Sequence, residues 1–179
     1  MAMNYNSVSI KKADLSDLDA LVQLTANTFT ESWLESDNVV DINTYVKECF
    51  SEEQLALELK DPSIRYLFIL VDKVPVGYMK VQRNAQPDGH LLDSPMALHR
   101  IYIKKEYQGN KFGARLIHEA IVIARKEGCK HLWLGVWNEN QRAIKLYASL
   151  GFRIFGNYQF VMGTIISDDY LMKLMIEEV

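Results

Sequence analysis

Only two residues are cysteine, Cys49 and Cys129, and they lie far apart with no ligand-like spacing. No disulfide framework or thiolate metal cluster can be built from them. They read as packing residues of a chain kept in a reducing compartment. Neither sits in an activated motif, which removes the obvious covalent nucleophile. His90, His99, His118 and His131 show no cluster spacing, so no metal site is expected. No stretch approaches the roughly 18 consecutive apolar residues of a membrane span. The first six residues, Met1 to Asn6, lack the basic-then-apolar pattern of a secretory signal, and a cytoplasmic location is the expectation. Repeats and low-complexity segments are missing as well. So are Gly-x-Gly-x-x-Gly and Gly-Lys-Ser/Thr, which excludes the common dinucleotide and P-loop sites.

What is present is ordinary globular material: 49% apolar and 24% charged residues over 179 positions, enough for one domain, residues 1–179, with a genuine core. The net charge of −3 hides an uneven distribution. Residues 31–61 carry nine acids, among them Glu31, Glu35 and Asp37, against two lysines. Residues 98–130 carry eight bases against three acids. Solvated helix faces account for such blocks; so does one region that meets an anionic ligand and another that attracts a cationic one. The basic block is not a continuous stripe and has no aromatic platform, so nucleic acid is not expected as a partner.

Periodicity gives the element order. A short strand at Val8–Ile10 precedes a helix capped by Ser16 and ending near Phe29. Ser51-Glu52-Glu53-Gln54 is a capping box for a helix stopped by Pro62. Tyr66–Val71 is an apolar run suited to a strand buried on both faces, and it turns at Asp72-Lys73 into a hairpin partner, Val76–Val81. A strand at Leu98–Ile103, a helix at Phe112–Glu127 with Phe112, Leu116, Ile117, Ala120, Ile121 and Ala124 inward, a strand at His131–Trp137 and a helix at Asn140–Leu150 follow. Two further strands, Arg153–Phe160 and Tyr170–Ile176, close a mixed α/β sheet.

Two segments carry chemistry. Tyr107-Gln108-Gly109-Asn110-Lys111-Phe112-Gly113-Ala114 is a glycine-containing turn that opens directly into a helix. Unpaired N–H groups and a positive helix end make such a turn an anion site, most naturally for phosphate. Lys111 and Arg115 add charge. The second segment, Asn140-x-x-Ala143-x-x-Leu146-Tyr147-x-x-x-Gly151-Phe152, puts an amide and a phenol on one helix. A phosphate cradle and a separate phenol point to a long phosphorylated cofactor whose reactive end lies near Tyr147.

These segments, with Leu98-His99-Arg100-Ile101-Tyr102-Ile103 and Leu134-Gly135-Val136-Trp137, resemble the GCN5-related N-acetyltransferase (GNAT) superfamily. Thr28-Phe29-Thr30-Glu31 and Tyr158-x-Phe160-x-Met162-Gly163 are similar to its PaiA-type branch, the spermidine/spermine N-acetyltransferases. The resemblance implies a single-domain GNAT fold: a mixed, mostly antiparallel sheet of about seven strands flanked by helices. It implies acetyl-CoA as cosubstrate. The backbone of Ile101, Tyr102 and Ile103 would pair with the pantetheine arm like an added strand. Gln108, Gly109, Asn110, Lys111, Phe112, Gly113 and Ala114 would wrap the pyrophosphate, Asn140 would touch the arm, and Tyr147 would protonate the departing thiolate. Lys111 stands where the family has a glycine. A homodimer is among the arrangements the resemblance implies.

The expected reaction is direct transfer to a primary amine in a ternary complex. An alkylamine with a pKa of about 10.4 is some thousandfold protonated at neutral pH, a cost of about 4 kcal/mol. A base must take that proton, and a positioned acid–base group contributes about 10² to 10⁴ in rate. The strand position at which many family members carry a glutamate has none in Met96-Ala97-Leu98-His99. His99, which titrates near neutrality, and Glu31 are the candidate bases. Glu31, Glu35 and Asp37 are the candidate counter-charge for a small-molecule amine acceptor, a polyamine by resemblance. A peptide or protein amine is the second reading. A CoA-binding sensor without catalysis is the third, and it draws on Lys111 and the missing glutamate.

Overall fold

The computed structural model describes residues 7–33 and 38–177. Its strands are β1 (Val8–Lys12), β2 (Ile64–Val71), β3 (Val74–Arg83), β4 (Pro95–Ile103), β5 (His131–Trp137), β6 (Arg153–Met162) and β7 (Ile165–Met175). Its helices are α1 (Leu18–Ser32), α2 (Val39–Cys49), α3 (Glu52–Lys60), α4 (Phe112–Lys126) and α5 (Gln141–Ser149). The seven strands form one sheet in the order β1-β2-β3-β4-β5-β7-β6. The β1·β2, β5·β7 and β6·β7 pairs are antiparallel and the β4·β5 pair is parallel. This is the expected mixed, mostly antiparallel α/β architecture.

The chain packs as two compact units, Met1–Lys80 with Arg100–Leu116, and Val81–His99 with Ile117–Val179. In the first, β2 is buried from Tyr66 to Ile69, as its unbroken apolar run requires. Asp72 and Lys73 both take positive φ, 49° and 71°, the signature of the tight hairpin turn whose twist matches its strands. Leu21, Leu24, Phe29, Phe50 and Leu55 of the helical segments are buried. Phe29 stacks on Tyr45 at 4.8 Å and meets Phe50 edge-on at 5.4 Å.

The first helix starts differently from the sequence expectation. Ser16 does not cap α1, whose N-cap Asp17 makes no side-chain cap bond; Asp14 caps the 3-10 turn Leu15–Asp17 that leads into it, accepting from Ser16 N–H, while Asp17 reaches back to Asp14 N–H. A carboxylate two residues earlier outcompetes the serine, whose hydroxyl donates to that same Asp14. The helix then runs to Ser32, three residues past Phe29. Ser51 caps α3 as expected, accepting from Gln54 N–H at 3.2 Å, while the Gln54 side chain turns to Glu58. In α4 the buried stripe includes Ile123, with Ile121 half-buried instead.

A polar network lies inside the first unit. Glu58 of α3 pairs with Lys80 of β3 at 2.7 Å and accepts from Gln54 Nε2 at 3.1 Å and from the Tyr66 hydroxyl. Arg100 donates to the Tyr66 oxygen at 3.4 Å and lies 4.6 Å from the centre of the Phe50 ring. Burial pushes the Tyr66 and Tyr78 phenols up, so both stay neutral. Burial also pushes the Glu58 carboxyl up, but the bonds from Lys80 and Tyr66 outweigh it and hold the group below its ordinary range.

In the second unit, Leu92, Ala97, Trp133 and Leu171 form a buried cluster against which Ala85, Phe155 and Tyr158 pack. The 84–94 connection is tied down by Trp133 Nε1 donating to Ala85 O at 2.8 Å and by Gln86 bonding both backbone groups of Leu92 at 2.9 Å.

Candidate functional site

The phosphate-type turn belongs to the first unit and is built by its own carbonyls. After β4 the chain makes a short 3-10 turn, Lys105–Tyr107. Gln108 Nε2 donates back to Ile103 O at 3.2 Å, and Asn110 Nδ2 donates to Tyr107 O at 3.0 Å. Gly109 and Lys111 then take positive φ, 83° and 61°, separated by Asn110 with ordinary negative φ. Alternating φ of this kind turns successive N–H groups toward one side, a backbone nest for an anion. The nest runs straight into α4, which begins at Phe112 and presents the positive end of its dipole there. Lys111 therefore reproduces the backbone that a glycine would supply. Arg115 is used otherwise: its guanidinium donates to Val8 O at 3.0 Å, so it braces β1.

Gly77 of β3 shows how closely β4 is held beside this turn. A Cβ there would lie 2.6 Å from Tyr102 O and 2.4 Å from Ile103 Cδ1. Glu31, at the end of α1, accepts from Lys105 N–H at 3.3 Å. It lines a cavity of ≈ 420 Å³ with Ala26, Asn27, Thr30, Lys104 and Glu106. The structure thus places Glu31 beside the entry to the turn. Glu35 and Asp37 lie outside the described residues. Within the acidic block, Glu58 is neutralised by Lys80 and Asp61 bonds Ser63, so the linear excess of acid is not all surface charge.

In the second unit the β4·β5 ladder covers only Pro95–Ala97 against His131–Trp133, although β5 pairs with β7 along its whole length from His131 to Trp137. Beyond Trp133 the other edge of β5 has no strand partner among the described residues. An open strand edge is what an extended ligand can pair with. His99, exposed, lies just past the last paired residue of β4, with Nε2 3.0 Å from Gln82 Oε1 and its ring 6.1 Å from Trp133. In the tautomer that carries the proton on Nε2, that N–H donates to the carboxamide oxygen.

Asn140 caps α5: its Oδ1 accepts from Ala143 N–H at 3.1 Å, which commits the oxygen and not the Nδ2 donor. Tyr147 is buried on α5, with its ring 5.7 Å from Phe152.

One group escaped the sequence reading. Asp169 of β7 is half-buried and accepts from Ser167 Oγ at 2.9 Å and from the Tyr158 hydroxyl at 3.4 Å. Burial pushes its carboxyl above the ordinary value, and Asp168 adds to that. A signal for it exists in the sequence: Asp169 and the buried Leu171 are two apart on one strand and share a face.

Comparison with known proteins adds four findings. Residues 18–152 match the family described as Acetyltransferase (GNAT) family. An uncharacterized N-acetyltransferase of Lactobacillus delbrueckii subsp. lactis is 27% identical over 93% of this chain and 96% of its own. The spermidine N(1)-acetyltransferase of Thermoplasma acidophilum is 24% identical over 83% of this chain and 89% of its own. In fold, the chain is similar to the PaiA N-acetyltransferase from Thermoplasma acidophilum in complex with coenzyme A. That match has a TM-score of 0.75 at 22% identity, covering 94% of this chain and 99% of the other.

Proposed function

The chain belongs to the Acetyltransferase (GNAT) family and is an acetyl-CoA-dependent N-acetyltransferase, and we propose that its acceptor is a primary amine of a polyamine. The observation that carries the acceptor class is the likeness to a spermidine N(1)-acetyltransferase along 83% of the chain. The acid-rich 31–61 segment supports it, with Glu31, Glu35 and Asp37 as counter-charge for a cationic acceptor.

The residues present fit the donor. The nest at Gly109–Phe112 and the first turn of α4 are assigned to the pyrophosphate, with Gln108, Gly113 and Ala114 completing the turn. Lys111 contributes an ammonium as well as its backbone. The backbone of Ile101, Tyr102 and Ile103 is assigned to the pantetheine arm, together with Nδ2 of Asn140. Bound acetyl-CoA supplies a thioester carbonyl and a thiolate leaving group. The acceptor's neutral nitrogen forms the new N–C bond as the C–S bond breaks. His99 or Glu31 takes the proton from nitrogen, and the Tyr147 hydroxyl gives one to sulfur.

Release of CoA thiol in the presence of spermidine, spermine or a lysine peptide tests this. Turnover is expected with the polyamines, and Tyr147→Phe is expected to lower kcat about 10²- to 10³-fold. CoA binding without turnover on any amine sinks the catalytic reading in favour of a sensor, and turnover on the peptide alone moves the acceptor to a protein amine.

A further inference from the structure

We propose that Asp169, Trp137 and Tyr158 form an alkylammonium subsite on the sheet face of the second unit, which takes the distal ammonium of the acceptor. The proposal rests on the polyamine reading and names where the second charge of such an acceptor is held.

Strand register makes the constellation. Asp169 pairs directly with Trp137 across β5·β7 and with Tyr158 across β6·β7. Directly opposed residues point to the same face, with Cβ atoms about 4.5–5.5 Å apart. One carboxylate therefore stands between two aromatic residues in a single row over three strands. The neighbouring row is Gly135–Leu171–Gly156. Gly135 gives up its side-chain space to the phenol: a Cβ there would lie 2.5 Å from the Tyr158 hydroxyl. The outer end of the Tyr158 ring accordingly lies against Gly135 of β5, with its hydroxyl 3.4 Å from Asp169 Oδ2. Trp137 is 49% exposed, so the row is open to solvent on that side.

The charge on this row is uncompensated. Among the described residues no lysine, arginine or histidine pairs with Asp169. Its two partners are neutral hydroxyls. Lys173, four residues along β7 on the same face, lies over the Phe155 ring at 4.9 Å instead. Asp17, Glu58 and Asp93 by contrast each hold a lysine. A carboxylate drawn partly out of water without a cation is a standing cost unless a ligand brings one. Two neutral donors leave about half of its lone-pair sites for that ligand. Aromatic faces beside a carboxylate select an alkylammonium over a bare metal ion, which would need several more oxygen ligands.

The test measures kcat and KM for spermidine and for butylamine, which lacks a distal ammonium, with saturating acetyl-CoA. In wild type, spermidine is preferred. Asp169→Asn keeps the shape and removes the charge; it is expected to lower the spermidine-over-butylamine preference about 10- to 100-fold, through the KM for spermidine rather than kcat. Trp137→Ala, at an exposed position, is expected to lower it about threefold or more, and it carries the test if Asp169→Asn does not fold. Wild-type spermidine KM in both variants overturns the subsite and leaves polyamine acetylation standing. No spermidine turnover by wild type overturns the polyamine reading and the subsite with it.

Discussion

Lys111 combines two roles that a glycine at the same position would not. Its φ of 61° lies in the left-handed region, which costs a residue with a Cβ about 1 kcal/mol. Its side chain adds a positive charge to a turn already made of N–H donors. Lys111→Gly removes the strain, but it also frees the unfolded chain by about 0.4–1 kcal/mol. The two terms offset, so the urea midpoint is expected to stay within error of wild type. Cofactor affinity separates the roles. The variant is expected to bind CoA about fivefold more weakly at low ionic strength, with the gap closing at high salt as the charge is screened. Equal titration constants at both salt concentrations would show that the ammonium contributes nothing. The substitution was visible in the sequence, but its meaning was not. Only the dihedral shows that the lysine keeps the glycine's backbone.

The α3–β3 pairing shows why an acidic run is a poor guide to surface charge. Glu58 was counted with eight other acids, yet folding takes it inside against Lys80, where Tyr66 and Gln54 complete its bonds. Lys80→Met strands that carboxylate and is expected to cost about 3–5 kcal/mol by chemical denaturation. Adding Glu58→Gln is expected to recover much of the loss, giving a clear coupling energy in a double-mutant cycle. The acid limb follows from the same geometry. The folded carboxyl lies below its ordinary value of 4.5, so the unfolded chain binds the proton first as pH falls. Its stabilising contribution is complete above the unfolded value and is lost as pH drops through the folded one. Urea midpoints of the double variant are therefore expected to fall less steeply than those of wild type in that window. Equal slopes would place the acid sensitivity elsewhere. Helix boundaries here were legible from caps and Pro62. The cap at Asp14 was missed because two good capping residues stand two positions apart, and the carboxylate wins.

Across the molecule, legibility follows sequence separation. The elements from β4 to α5 were read closely because each functional piece is contiguous: a turn at 108–114, a strand at 131–137 with the expected ends, a helix over 141–149 within the expected 140–150. The Asp169 row was not readable, because its members come from three strands and meet only through register. The donor half of the reaction is thus the half that a whole-molecule measurement can test most directly. A ligand that binds only the folded chain stabilises it by about 2.7 kcal/mol at a hundredfold excess over Kd. For a chain of this size that is a rise in Tm of about 5–10 °C. Acetyl-CoA is expected to produce it. Acetyl-pantetheine has the same thioester and arm but no phosphate, and at equal concentration its shift is expected to be much smaller. The reason lies in the Gly109–Phe112 turn and the positive N-terminal end of α4, which favour an anion. Equal shifts from the two ligands would mean that the arm alone supplies the affinity, and would remove the phosphate turn from the donor site.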